Sequence, residues 1–582
     1  MAELIISPGV FTNESVPTIT EAAAAPVGAA VVGPTPLGPV NIPTLCTTFS
    51  DFQSKFGTTF ESGGVDYSYL TSLAAYNYFR QGGTNLLVTR VVSGSRGAYT
   101  SAQSTYVPSS GSTNTFNAFT LKTFSQGILM NSTQSAGGLD EATGSASGSL
   151  VSGSRDNLRW EITNTDYNKG TFTLTIRQGN DSPTAKKVLE TFRGVNLDPN
   201  SDNYIEKRIG NQYKSITGTG ANAYIQENGS YPNLSNYVYV LAVSQSTPDF
   251  LDANGTRSNE AYTASLPQPS NGGFYNASGT LYTGEAKMGK NITAGNMQGL
   301  TTDSYTDIVE LLKDKDLYYF NTISFPGFIA SNTATAQTMI DLVEERGDSL
   351  AVLDLGVYDA SVSTVVTAGE NFDSSYAASY YPWVLLNDPQ TGAATWAPAS
   401  TIVPAAYVYN DTVAGAWFAP AGSTRGSINS AISLQRALPK ADRDTLYDGK
   451  VNPLVNFPST GIAIYGQKTL QAAASATDRV NVRRLLLNLK NFIGTVAQGL
   501  VFEPNSLATR NAFLSVVVPY LELVQQRQGL YAFKVTMDDT NNGPDVIDRN
   551  ELRGAIYIQP VKAAEFVILD FNVLPTGAEF PG

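Results

Sequence analysis

The chain has 582 residues, 37 Lys and Arg against 50 Asp and Glu for a formal charge of -13, one Cys and no His. That length outgrows a single core, and 42% hydrophobic content is ample for several, so about two to four domains are expected. The charge speaks against nucleic-acid binding, and the lack of His removes the usual triads, His-ligated metals and the commonest base near neutral pH.

Residues 1–20 lack a helical period and hold Pro8, Gly9 and Pro17, so they read as an extended arm. Fifteen such residues reach roughly 50 Å at about 3.3 Å each. Leu4, Ile5, Ile6, Val10 and Phe11 give the arm an apolar face that a frayed tail would not need. Glu3 stands where a secretory leader would carry basic residues, and no long apolar run follows; neither a signal peptide nor a membrane span is expected.

Between Ala29 and Gly57 a short buried strand, a Pro- and Gly-rich turn, a second strand and a capped helix start at Ser50-Asp51 are expected. Cys46, alone and between Leu45 and Thr47, reads as a buried small residue. Ser68 to Gly82 predicts a helix, and Asn85 to Val92 a strand. Near Gly94 the composition turns to Ser, Thr, Gly and Asn, and short alternating strands such as Thr171–Ile176 follow the turn Asn168-Lys169-Gly170; residues 97–302 read as a β-rich insertion. Core patterning resumes with a strand over Leu317–Ile323, a helix from Ala334 to Arg346 and a strand over Leu350–Asp354. Strand, helix and strand at this spacing make a parallel βαβ unit.

From Arg479 onward, Val482, Leu485, Leu486, Leu489, Phe492, Ile493, Val496 and Leu500 follow the spacing of an amphipathic helix. Pro504 interrupts it, and Asn505 or Ser506 caps a second helix that Pro519 should kink and Gly529 should end in a left-handed conformation. Two strands, Ala532–Met537 and Gly554–Ile558, flank the polar turn Asp538–Gly543. A terminal apolar strand from Glu565 to Val573, with Phe566, Ile568 and Phe571, then needs a partner.

Candidate chemistry is thin. Gly284–Asn291 has the glycines and Lys of a phosphate loop but places Asn291 where Ser or Thr should hold magnesium, and no clear strand precedes it. Asp538–Gly543 has a calcium-loop glycine, but Arg549 falls at the twelfth position where a bidentate Glu is required. Asp354 and Asp359 follow a strand end without an acid–base partner nearby and read as solvated loop charges. No metal site, cofactor or catalytic residue is expected. Arg479, Arg483 and Lys490 share one face of the first C-terminal helix. In an acidic chain this stripe is either a contact for an acidic partner or a face engaged in solvent and internal salt bridges, for instance to Glu503.

Several strings carry a resemblance: Tyr381-Pro382-Trp383, Asp388–Gly392, Ala397–Ser400, Ala416–Ala421, Asn452-Pro453, Tyr465–Leu470, Asn481–Arg484, Phe502–Asn505 and Pro560–Phe566, with Ser7–Val10 at the start. In this order they are similar to contractile phage tail sheath proteins over residues 1–95 and about 317–573. Gln467-Lys468 stands where that family often has Ala-Arg, and Ala397 where it often has Pro. Residues 192–205 resemble a protruding domain of larger sheaths.

The resemblance implies an α/β (α+β) multidomain fold: a mixed-sheet core built from N- and C-terminal parts, an inserted protruding domain and extended terminal arms. Its domains would be the arm 1–20, a core of 21–96 plus 303–478, the insertion 97–302 and a tube-facing C-terminal domain 479–582. It implies a non-enzymatic sheath subunit of a virion tail, assembled in the host cytoplasm. Such a subunit stacks in six-membered rings around an inner tube and contracts to drive the tube through the host envelope. Its partners would be its own copies, the tail tube protein, and baseplate and tail terminator proteins, without nucleic acid or membrane insertion. The two arms would join subunits, and Arg479, Arg483 and Lys490 would face the tube. The sheath of a bacterial contractile injection system is the alternative within this class; an adhesin or glycan-acting enzyme carried by the insertion is the alternative outside it.

Overall fold

The computed structural model describes residues 28–565 apart from 63, 95–98, 105–106, 108, 111–116, 128–154, 183, 219–221, 276–284, 331–332 and 459. The predicted arm residues Leu4, Ile5, Ile6, Val10 and Phe11 and the terminal-strand residues Phe566, Ile568 and Phe571 lie outside the described residues. The chain forms two compact units, whose described residues are 28–488 with 563–565, and 489–562.

The larger unit is built on an eight-stranded mixed sheet in the order Thr44–Cys46, Leu86–Arg90, Ala29–Gly33, Thr322–Ile329, Leu350–Asp354, Ala377–Tyr381, Val451–Phe457 and Gly461–Ile464. The six inner strands are parallel and the two outer ones antiparallel to their neighbours. The three strands that precede residues 97–302 lie side by side and meet the five that follow at one seam, where Ala29 pairs with Thr322. Parallel neighbours need crossovers that cover both faces, and the central strands are accordingly buried along their length. The period of two divides them: Ile323, Phe325, Ala351 and Leu353 enter one core cluster, while Leu350, Val352, Ala378 and Tyr380 enter another.

Two boundaries depart from expectation. The strand expected over Leu317–Ile323 begins at Thr322, because the Asp314 carboxylate accepts from the backbone N–H of Asp316 and Leu317 and holds that stretch in a turn. Leu317 is left 65% exposed. The helix expected to start at Ser50-Asp51 runs Phe49–Phe56 and is capped one residue earlier, by Thr48, whose hydroxyl accepts from the Asp51 N–H at 3.1 Å. Cys46 is fully buried, and burial pushes its thiol up to about 12.

A second, wholly antiparallel sheet has seven strands, ordered Val188–Asn196, Thr171–Gln178, Leu158–Asp166, Ser270–Tyr275, Ser101–Ser104, Phe119–Gln126 and Val238–Val243. All fall inside the 97–302 stretch. Its core centres on Trp160, Phe119, Phe172, Leu174 and Ile176. The predicted turn ahead of Thr171 forms as read: Asp166 Oδ1 accepts from the N–H of Asn168 and Lys169, and Gly170 takes φ 70°. Arg90 joins this sheet to the eight-stranded one. Fully buried, it donates to the carbonyls of Thr35, Gly38 and Gln126 at 2.9, 2.8 and 2.6 Å, and burial without a carboxylate partner lowers its guanidinium to about 9.

In the smaller unit the helix Val480–Gln498 ends and the helix Leu507–Gln526 begins, capped by Ser506 through the Thr509 N–H at 3.2 Å. Phe492 stacks on Tyr520 with centroids 3.8 Å apart, and Phe513, Val517, Leu521 and Val524 form the buried stripe of the second helix. By length and composition alone this helix is, among the described residues, long and apolar enough to cross a membrane, a test that core helices also pass. The left-handed residue after it is Gln528, at φ 63°, and not Gly529, whose N–H returns to the Val524 carbonyl at 2.8 Å. The two expected strands form a hairpin, Leu530–Thr536 with Ala555–Pro560, and a short helix Pro544–Asp548 follows the polar turn.

Candidate inter-subunit attachment site

The chain leaves the larger unit through the first turns of the Val480–Gln498 helix and returns to it at residue 563. Its hold at the exit is apolar and ionic together. Val480 and Leu487 enter the second core cluster of the larger unit. Arg484, fully buried, makes a bidentate pair with Asp411 at 2.9 and 2.5 Å and lies 4.5 Å over the Tyr407 ring. Burial pulls its guanidinium down, but the Asp411 charge and hydrogen bonds more than offset this. Arg483 is buried too: it sits 4.0 Å over the Tyr376 ring and donates to the Ser375 hydroxyl, and burial lowers its guanidinium below the ordinary arginine value.

At the return point Glu565 is gripped from three places. Arg479 donates through Nε to Oε1 at 2.7 Å and through Nη2 to Oε2 at 3.1 Å. Gln467 Nε2 donates to Oε1 at 3.0 Å, and the Tyr447 hydroxyl donates to Oε2. Burial pushes the Glu565 carboxyl up, yet the donors Arg479, Tyr447 and Gln467 together hold it below the ordinary glutamate value. Arg479 is itself placed by backbone pairing: the Val480 N–H donates to the Gln467 carbonyl at 2.7 Å and the Thr469 N–H to the Asp478 carbonyl at 3.0 Å.

The predicted basic stripe is thus divided. Arg479 is taken up by Glu565 and Asp478, and Arg483 by Ser375 and Tyr376, while Lys490 is exposed. The 4- and 7-residue spacing placed the three on one helix face but could not show that the helix begins inside a core. The internal partner raised as an alternative, Glu503, is not the one used; the acceptor is Glu565, 86 residues from Arg479.

Asp354 was read as a solvated loop charge, and the structure corrects this. It is buried, with Oδ1 accepting from the Ser400 N–H at 3.0 Å and Oδ2 from the Ser400 hydroxyl at 2.5 Å, and burial pushes its carboxyl up to about 7. The carboxylate ties the end of a central strand to the turn Ala399–Thr401. Asp359 is exposed and accepts from Gln435 at 2.6 Å. In the Gly284–Asn291 stretch the described residues form two 3-10 turns, not a strand-loop-helix cradle. In Asp538–Gly543, Asp538 accepts from the N–H of Thr540, and Asn542 donates to the Arg553 carbonyl, so the side chains serve the turn. Among the described residues no group of His, Cys, Asp or Glu is placed to hold a metal ion.

In the larger unit the carboxylates of Asp354, Asp411 and Glu565 are taken up in holding the fold. A family model described as the phage tail sheath protein central domain matches residues 298–470, and one described as the phage tail sheath C-terminal domain matches residues 473–573. Over residues 298–573 the chain carries the central and C-terminal domains of the phage tail sheath family. It is 37% identical over 222 residues to the tail sheath protein of Vibrio phage KVP40, covering 38% of this chain and 33% of that protein. With the tail sheath protein of Enterobacteria phage T4 it shares 36% identity over 210 residues, 36% of this chain and 32% of the other. The chain therefore spans about a third of the length of the curated relatives it matches. The crystal structure of a sheath tail protein from Listeria innocua shares the fold, with a TM-score of 0.52 at 12% identity over 93% of this chain and 96% of that one.

Proposed function

We propose that this chain is the sheath subunit of a contractile virion tail. It polymerises as stacked six-membered rings around an inner tube, and shortening of the polymer drives the tube through the host cell envelope. The observation that carries the reading is the hairpin Leu530–Thr536/Ala555–Pro560, among the described residues a sheet of two strands, with Tyr531 and Tyr557 more than 60% exposed. A two-stranded sheet is marginal in water and offers two edges for pairing. The apolar terminal segments, with Leu4, Ile5, Ile6, Val10 and Phe11 at one end and Phe566, Ile568 and Phe571 at the other, supply strands of the right kind from neighbouring copies. Each added backbone hydrogen bond contributes about 1 kcal/mol net, so strands exchanged between subunits keep rigid cores joined while they slide.

Tube, baseplate and terminator proteins are the remaining partners, with assembly in the host cytoplasm and no catalytic role. Contact with the tube falls to Lys490, the exposed member of the predicted stripe. The seven-stranded sheet within 97–302 is the protruding part. Deleting residues 1–16 is expected to leave soluble monomer, read by sedimentation and electron microscopy. Tubes of normal length from that variant would overturn the proposal.

A further inference from the structure

Residues 561–565 adopt neither helix nor strand, yet Glu565 carries one of the best-satisfied carboxylates among the described residues. Four donors meet its two oxygens: Arg479 Nε and Gln467 Nε2 at Oε1, and Arg479 Nη2 and the Tyr447 hydroxyl at Oε2. The side chain is 18% exposed. The donors come from the helix Lys440–Asp448, the segment after the strand Gly461–Ile464, and the residue preceding the helix Val480–Gln498. Lys468 lies 4.1 Å over the Tyr447 ring and adds positive charge to the same spot.

We infer that Glu565 is a positioning residue, the anchor through which the C-terminal segment passes tension to the core of its own subunit. The inference rests on the sheath reading. A strand lent to a neighbour transmits force only if its root is fixed, and a root held by the backbone of an irregular stretch would peel one bond at a time. A bidentate ion pair with two further donors must instead break as a group, and its three sources lie on elements packed into the large core. A pull on the segment is therefore carried by the core and bypasses the two-stranded hairpin.

The test compares full-length wild type with Glu565→Ala and Glu565→Gln, with thermal melting of the monomer and the length of assembled tubes under graded shear as the two readouts. Both variants are expected to lower monomer melting modestly and to form tubes, but to fragment, out of proportion to that fall, to lengths about tenfold shorter at a shear that wild type withstands, Ala more severely than Gln. Tubes as robust as wild type from both variants would overturn the anchor while leaving the sheath reading standing. A fall in monomer melting that matches the loss of tube length would also overturn it, by reducing Glu565 to a folding residue. If wild-type protein builds no tubes, the sheath reading fails and the anchor falls with it.

Discussion

Buried charge is used in this chain for fastening, and two residues show how. Arg484 and Asp411 form a bidentate pair with side chains 3% and 29% exposed, and removing one partner of such a pair leaves the other uncompensated. Arg484→Ala is expected to cost about 3 kcal/mol in urea unfolding, with part of the loss recovered in Arg484→Ala/Asp411→Ala. Asp354 titrates in the opposite sense to most carboxylates. Its folded value of about 7 lies above the ordinary value of about 3.9, so the folded state binds the extra proton between them. Its contribution is most favourable below about pH 4 and is lost as pH rises toward about 7. Wild-type stability relative to Asp354→Asn should therefore fall across that range; a difference that grew with pH would contradict the assignment. Neither role is legible in sequence, because Asp354 meets Ser400 across 46 residues and Arg484 meets Asp411 across 73.

At the scale of elements, periodicity and local chemistry were the readable part. The helix Val480–Gln498, its successor from Leu507, the Ser506 cap and the two hairpin strands follow from spacing and from Pro504, all within a few residues. What failed was register at ends, where a side chain a few residues away decides: Asp314 delays a strand, and Thr48 takes the cap assigned to its neighbours. After the helix Leu507–Gln526 the sequence offered Gly529, yet the chain turns at Gln528. A left-handed residue with a Cβ costs roughly 1 kcal/mol, so Gln528→Gly should stabilise the protein by about 0.5 kcal/mol once the extra freedom of unfolded glycine is counted. A shift in the urea midpoint at unchanged slope would register it.

Across the whole molecule, the mixed core was legible as α/β because βαβ spacing leaves a mark, whereas the single seam at which strands from either side of residues 97–302 join into one sheet was visible only through family resemblance. Arg90 shows why the two sheets are not independent: its donors reach Thr35, Gly38 and Gln126 at once, so a truncation that removes Gln126 strands a buried guanidinium in the remaining core. Excising residues 100–275 should therefore yield a core that is rescued in part by adding Arg90→Met, measured as soluble yield and melting temperature.

The edges of the seven-stranded sheet have a consequence for how such a protein survives its own abundance. One outer strand, Val188–Asn196, slips register against its neighbour twice, and the other, Val238–Val243, once. Irregular edges refuse a visiting strand, while the hairpin near the C-terminus keeps a regular ladder over Ala532–Thr536. On the proposed sheath reading, the twice-slipped Val188–Asn196 edge takes up stray strands less readily than the hairpin, which is then the favoured address for growth. Straightening the Val188–Asn196 edge would open a second one, and the result would be tangles in place of tubes.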